Sequence, residues 1–117
     1  MRILPVLMAF TFFSCAQKQN EKASQVFNEG VSLNLKSIEE QDGGNFENAA
    51  SLNKQSIEKF QETLKIDSTH PAARSALGHS LYIDRQFKEA IHWFDQANKI
   101  DGEAAVIIEK EGFVKST

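Results

Sequence analysis

The sequence has one cysteine, no apolar run long enough to cross a bilayer and no marked excess of charge of either sign. Each shortage removes a class of protein. A single cysteine, Cys15, excludes an intramolecular disulfide framework in these 117 residues. The apolar stretch from Ile3 to Phe13, broken by Pro5 and Thr11, is too short to span a hydrocarbon core of ~30 Å as a helix. Thirteen basic against 16 acidic residues give a formal charge of -3, which supplies no basic face for phosphates. Lys54, Lys59 and Lys65 alternate with Glu58 and Glu62, the pattern of a solvated helix face, so no nucleic-acid partner is expected. Chemistry is equally thinly provided. No nucleophile stands in a pattern with a base and an orienting group, and His70, His79 and His92 lack metal-ligand spacing. Gly43-Gly44 is not followed by the Gly-Lys-Ser/Thr of a phosphate loop. No catalytic residue, metal or cofactor is expected.

What remains is a composition of 41% hydrophobic and 25% charged residues, enough for one small domain. The stretch 1–14 has signal-peptide anatomy: Met1-Arg2, the short apolar core, then the small Ser14 directly before Cys15. Phe12-Phe13-Ser14-Cys15 resembles the bacterial lipoprotein signal, with phenylalanine where leucine is usual three positions before the cysteine. The resemblance implies removal of residues 1–14, lipidation of Cys15 and a membrane anchor of several acyl chains, far firmer than one chain. Removal of Arg2 would take the formal charge from -3 to -4. The competing readings are an ordinary signal peptide with an incidental cysteine, or a poorly cleaved anchor. Residues 15–22, ending in the polar AQKQNEK, read as a lipidated cysteine and flexible tether. By the same resemblance, Ala16 after the cysteine favours an outer-membrane lipoprotein facing the periplasm, with surface exposure left open.

From Ala23 onward apolar residues recur at helical spacing, and the pattern predicts an all-α domain over 23–117. Helices are expected at about 22–40, 46–66, 71–83 and 87–100, with a fifth at about 103–115. The apolar residues at helical spacing in the first helix are Ala23, Val26, Phe27, Gly30, Val31, Leu35 and Ile38, and the fourth helix should bury Phe87, Ala90, Ile91, Phe94 and Ala97. Phe94 should enter the core, and its neighbour Trp93, ~100° away, should pack elsewhere or stay partly exposed. Pro71 suits the first position of the third helix. Gly43-Gly44 and Asp84-Arg85-Gln86 are reversals.

Ile57, Phe60, Ile66 and Asp67 recur at a constant offset of 34 as Ile91, Phe94, Ile100 and Asp101, and Lys65-Ile66-Asp67 recurs verbatim as Lys99-Ile100-Asp101. A fixed period of this size marks stacked units, each burying its apolar face on the next. Leu77-Gly78-x2-Leu81 followed by Phe87-x2-Ala90-x3-Phe94-x2-Ala97 resembles the tetratricopeptide repeat, with Arg74 where tryptophan and Gly102 where proline is typical. The upstream copy keeps only its closing half, with Ser56 and Thr63 in place of the two alanines. If Gly30 answers to Gly78, Gly30 precedes Ser56 by 26 in the numbering whereas Gly78 precedes Ala90 by 12, an excess of 14. Divided equally, seven residues per arm is about two turns, which predicts a first hairpin longer by roughly 10 Å with its Gly43-Gly44 tip protruding.

The expected architecture is therefore an α-solenoid fragment: antiparallel helix hairpins over 23–66 and 71–102, then a capping helix over 103–115. In the family resembled, the opening helices line a groove for a peptide or a partner helix. Carried over, that groove comprises Phe27, Val31, Asn34, Ser75, His79, Tyr82 and Ile83, with Glu109 and Phe113 added from the cap. The lysine and asparagine with which some members hold a terminal carboxylate are absent, since Ser75 and His79 stand there. The last segment is apolar around much of its circumference, and Val106, Ile107, Phe113 and Val114 are a candidate association surface, allowing a homodimer. The expected function is a non-catalytic, membrane-tethered adaptor for a protein or peptide. The alternative is an accessory subunit of an envelope assembly held through its repeat ends.

Overall fold

Long runs free of proline and rich in alanine, leucine, glutamate, lysine and glutamine favour helix throughout, and every regular element among the described residues is a helix. A computed structural model of the chain describes the backbone of residues 3–101 and the side chains of 17–99. The elements are α1 (Ile3–Asp42), α2 (Phe46–Ile66), α3 (Ala73–Ile83) and α4 (Phe87–Asp101). α1 packs on α2, α2 on α3 and α3 on α4, giving two antiparallel hairpins stacked side by side. The expected helix at 103–115, with Val106, Ile107, Glu109, Phe113 and Val114, lies outside the described residues.

Two boundaries differ from the expectation. α1 begins at Ile3 instead of about 22, so the helix continues without a break through 15–22, where composition suggested a flexible tether. Residues 17–22 are all exposed, and their lysines, glutamines and glutamate favour helix. α3 starts at Ala73 with Ala72 as its N-cap, leaving Pro71 in the preceding turn. That turn is held by the Asp67 carboxylate, which accepts the Thr69 backbone N–H at 3.0 Å and the Thr69 hydroxyl at 2.7 Å.

The buried face of each hairpin follows a heptad. In α1, Ala23, Val26, Gly30 and Ser37 are buried, and Leu33 and Glu40 half-buried. In α2, Ala49, Asn53, Ser56, Phe60 and Thr63 face them. This is the seam of a short two-stranded coiled coil, built here of small and polar residues. The close approach is visible at Gly30, where a methyl group would come within 2.6 Å of the Phe60 ring. Gly78 and Phe94 repeat the arrangement at 2.9 Å. The core proper is Ile57, Phe60, Leu77, Leu81 and Ala90, with Phe27, Val31, Leu64, Ala76 and Trp93 packed around it.

The glycine pairing makes the two hairpins comparable residue by residue. Asp42, which ends α1, stands 12 places after Gly30, and Ile83, which ends α3, stands five places after Gly78, a difference of seven. Phe60 stands 14 places after the start of α2 at Phe46, and Phe94 seven places after the start of α4 at Phe87, again a difference of seven. Each arm of the first hairpin is thus one heptad longer, about 10 Å at 1.5 Å per residue. Both tips close in the same way. Gly43, Gly44 and Asn45 donate backbone N–H groups to Glu39, Gln41 and Glu40, as Asp84, Arg85 and Gln86 do to Ser80, Tyr82 and Leu81. The residue that turns the chain has positive φ in both, Gly44 at 83° and Arg85 at 66°.

Burial departs from the apolar spacing in α1 and from the expected buried set in α4. Leu35 and Ile38 are exposed, because the seam runs through Ser37 and leaves them on the flank of α1. In α4, Ala90 and Ala97 are buried as expected, but Phe87, Ile91 and Phe94 are exposed by 50%, 66% and 37%. Their counterparts one period earlier, Asn53, Ile57 and Phe60, are covered by α3, and no described helix lies in that position over α4. Phe94 does insert its ring against Gly78, while Trp93 is half-buried against the core.

Candidate functional site

A surface for recognition should lie where the two opening helices run side by side, and one contact fixes that register. The Asn34 side-chain amide donates to the Ser80 hydroxyl at 3.4 Å, joining α1 to α3. Beneath it is a small buried polar seam. The Asn53 amide donates to the Ser80 carbonyl at 2.9 Å, the Ser56 hydroxyl donates to the Asn53 carbonyl at 2.7 Å, and the Ser56 and Ser80 hydroxyls are 3.3 Å apart. Asn53, which interrupts the apolar stripe of α2, therefore serves to key α2 against α3. One turn towards the tip, Ser37 donates to the Ala49 carbonyl at 2.7 Å and ties α1 to α2.

Past that contact, the next turn of each opening helix carries two exposed apolar residues. Leu35 and Ile38 are 56% and 44% exposed, Tyr82 and Ile83 56% and 40%. Tyr82 in turn meets Phe87 edge-on, ring centroids 5.3 Å apart. Ser75 and His79 are also exposed, on the stretch of α3 nearer its start, and Val31 and Asn34 are half-buried. Phe27 is an exception among the expected groove residues. Its ring sits 5.5 Å from Phe60 and 4.7 Å from His70, so its main contacts are internal. Among the described residues, the expected groove positions Asn34, Ser75, His79, Tyr82 and Ile83 carry no carboxylate, lysine or arginine and are exposed or half-buried, whereas Val31, like Phe27, packs against the core. Leu35 and Ile38, which fall on the apolar spacing of α1, form an apolar lip with Tyr82 and Ile83. The signal that separates them from the buried face is the heptad Ala23-Gly30-Ser37, whose small residues mark the seam.

Among the described residues no three side chains capable of holding a metal come together. Asp67 is held below the usual carboxylate range, chiefly by the Thr69 hydroxyl, with the Thr69 N–H, His70 and Arg74 acting in the same direction against burial. Arg74 and His70 are themselves only 5% and 8% exposed, and among the described residues Arg74 Nη1 and His70 Nδ1 have no hydrogen-bond partner. They lie at the joint between α2 and α3, packed into the wall. A shallow depression of about 690 Å³ at the hairpin tip, between Glu40 and Ser51, is open to solvent. No helix among the described residues is long and apolar enough to cross a membrane.

Comparison with protein-family models, with characterised proteins and with solved structures gives no significant match.

Proposed function

We propose that the chain is a non-catalytic interaction module, tetratricopeptide-like in its repeats, that holds a peptide or protein partner against the opening helices α1 and α3. The observation that carries this reading is the exposed apolar lip of Leu35, Ile38, Tyr82 and Ile83 beside the Asn34–Ser80 junction. Four large apolar side chains on a rigid two-helix platform suit recognition by burial and shape, with Tyr82 and His79 offering polar tips for orientation. The absence of charge on the lip favours an apolar or amphipathic segment over an acidic or basic one. The leader supports a place in the bacterial cell envelope: residues 1–14 as a signal peptide, Cys15 as the lipidated residue, and the outer membrane, periplasmic face, as the destination.

A photo-crosslinking residue introduced at Ile83 tests the groove, with one at Lys54 on the exposed face of α2 as control. The expected result is a discrete adduct in native membranes from position 83 only, abolished by Leu35→Asp. Adducts that form equally at both positions, or that survive Leu35→Asp, would refute it. The second reading, an assembly subunit held through a repeat end, draws on the exposed Phe87, Ile91 and Phe94. It requires adducts from position 91 and none from 83. Mass spectrometry of the mature N-terminus tests the anchor, which is overturned by an unmodified Cys15 behind an intact leader.

A further inference from the structure

Composition marks residues 15–22 as a flexible tether, yet α1 runs through them without a break and on to Asp42. Along that one helix, each contact that fixes the domain has a set height above Cys15. Phe27, on which the His70 ring stacks at 4.7 Å, stands 12 residues after Cys15, or about 18 Å at 1.5 Å per residue. Asn34, which donates to Ser80, stands 19 residues after it, or about 28 Å. Asp42, the end of α1, stands 27 residues after it, or about 40 Å.

We propose that residues 16–22 are a rigid helical spacer that holds the apolar lip about 30 Å from the bilayer anchoring Cys15, so that the partner is a protein segment in the aqueous compartment and not one embedded in that membrane. This deepens the groove reading and rests on it, lipidation of Cys15 included.

The first support is where the exposed apolar residues lie. Among the described residues of α1, α2 and α3, the exposed large apolar side chains are Leu35, Ile38, Phe46, Tyr82 and Ile83, and all five lie towards the hairpin tips. On α4 the stripe of Phe87, Ile91 and Phe94 runs back from the same end. The ends nearer Cys15, at 17–31 of α1, 60–66 of α2 and 73–81 of α3, expose none. A domain that rested its base on the membrane would carry its apolar residues there.

The second support is the spacer itself. Gln17, Lys18, Gln19, Asn20, Glu21 and Lys22 are exposed, and six residues make about 1.7 turns, so polar side chains cover the whole circumference. A helix that lies on a bilayer needs an apolar face and gains from positive charge. These residues supply no such face, and loss of Arg2 with the leader takes the formal charge from -3 to -4. A flexible chain over 15–22 would span about 15 Å and let the domain turn in any direction, bringing the lip to the bilayer as readily as to water. The helix fixes which end of the domain faces away.

The test uses the full chain, processed in bacterial membranes and reconstituted in vesicles with an acceptor dye on the phospholipid headgroups. Lipidation consumes the Cys15 thiol, so an introduced cysteine is the one site for a donor dye. Ser68→Cys, in the exposed turn before α3, should transfer energy several-fold more efficiently than Gln41→Cys beside the tip. Replacing residues 17–22 by alternating glycine and serine should bring the two values together. In the same vesicles a photo-crosslinking residue at Ile83 should give no phospholipid adduct. Equal transfer from positions 41 and 68 on lipidated protein, or a difference that survives the glycine–serine replacement, overturns the spacer and leaves the anchor standing. A phospholipid adduct at position 83 overturns the assignment of the partner to the aqueous compartment. An unmodified Cys15, found by mass spectrometry, overturns the lipoprotein reading and the spacer proposal together.

Discussion

The tightest contact between the two long helices sets the most demanding prediction. Gly30→Ala places a methyl group 2.6 Å from Phe60 Cε1, 2.8 Å from Cδ1 and 3.2 Å from the Lys59 Cβ. Carbon atoms rest at about 3.5–4.0 Å, so the ring or the helix must yield by roughly 1 Å. Phe60 is 2% exposed and lies among Ile57, Leu77 and Leu81, which leaves it nowhere to go. Overpacking of this kind costs about 1–3 kcal/mol, and here the upper end applies because backbone and ring are both fixed. Alanine recovers about 1 kcal/mol of helix propensity over glycine. The net is a destabilisation of about 2 kcal/mol, or a fall in Tm on the order of 10 °C for a domain of this size. Thermal unfolding of the two single variants and the double variant with Phe60→Leu gives the coupling directly. Phe60→Leu on its own should destabilise, yet in the Gly30→Ala background it should cost little or restore stability. A Gly30→Ala protein as stable as the parent, with no coupling to position 60, would refute the glycine–aromatic register on which the comparison of the hairpins rests. Gly78→Ala should cost less, because Phe94, 37% exposed, can swing away where Phe60 cannot, and a cost equal to that of Gly30→Ala would refute this.

Two further changes act locally. Arg85 has a φ of 66°, and Arg85→Gly should raise stability by about 0.5–1 kcal/mol by removing the left-handed strain, whereas Gly44→Ala, at 83°, should lower it by a similar amount. Chemical denaturation of the pair reads both, and a stabilised Gly44→Ala would be incompatible with the turn geometry. Arg74→Met keeps the volume of a side chain 5% exposed with one guanidinium nitrogen unpartnered, so it should be neutral or stabilising by up to about 2 kcal/mol. A loss of more than about 1 kcal/mol in the same assay would show that the Arg74 charge is needed beside Asp67.

The fold is more legible in the sequence than the site, and for a physical reason. Strong helical periodicity and glycine-marked reversals locate α2 over its whole observed length and α3 and α4 to within two residues at either end, because local propensity and packing agree there. The heptad excess of each arm follows from counting between Gly30, Ser56, Gly78 and Ala90. The start of the first helix is hidden because 15–22 has helix-forming residues without an apolar face, and polarity there does not mean flexibility. At Leu35 and Ile38, apolarity does not mean burial. Hydrophobicity cannot say which flank of a helix meets its partner when the seam is made of alanine, glycine and serine. The exposure of Phe87, Ile91 and Phe94 is a fact about what stacks next, which no reading of α4 by itself contains.

The lengthening of the first hairpin and the existence of the candidate site have one cause. A heptad added to each arm advances both helices by two turns of the coiled-coil seam, so Ser37 and Ala49 continue the stripe of Gly30 and Ser56 in phase. An addition of five or six residues per arm would rotate the seam and expose it. Counting from the paired glycines, Leu35 answers to Ile83, the last residue of α3, so Ile38 belongs to the added turns and has no counterpart within α3. The flank of α1 that bears Leu35 and Ile38 therefore runs on past the end of α3, with no opening helix beside its last turns. The in-phase insertion is thus sufficient to turn what would be a continuous helix–helix contact into an open apolar lip, without any strain in the core below it.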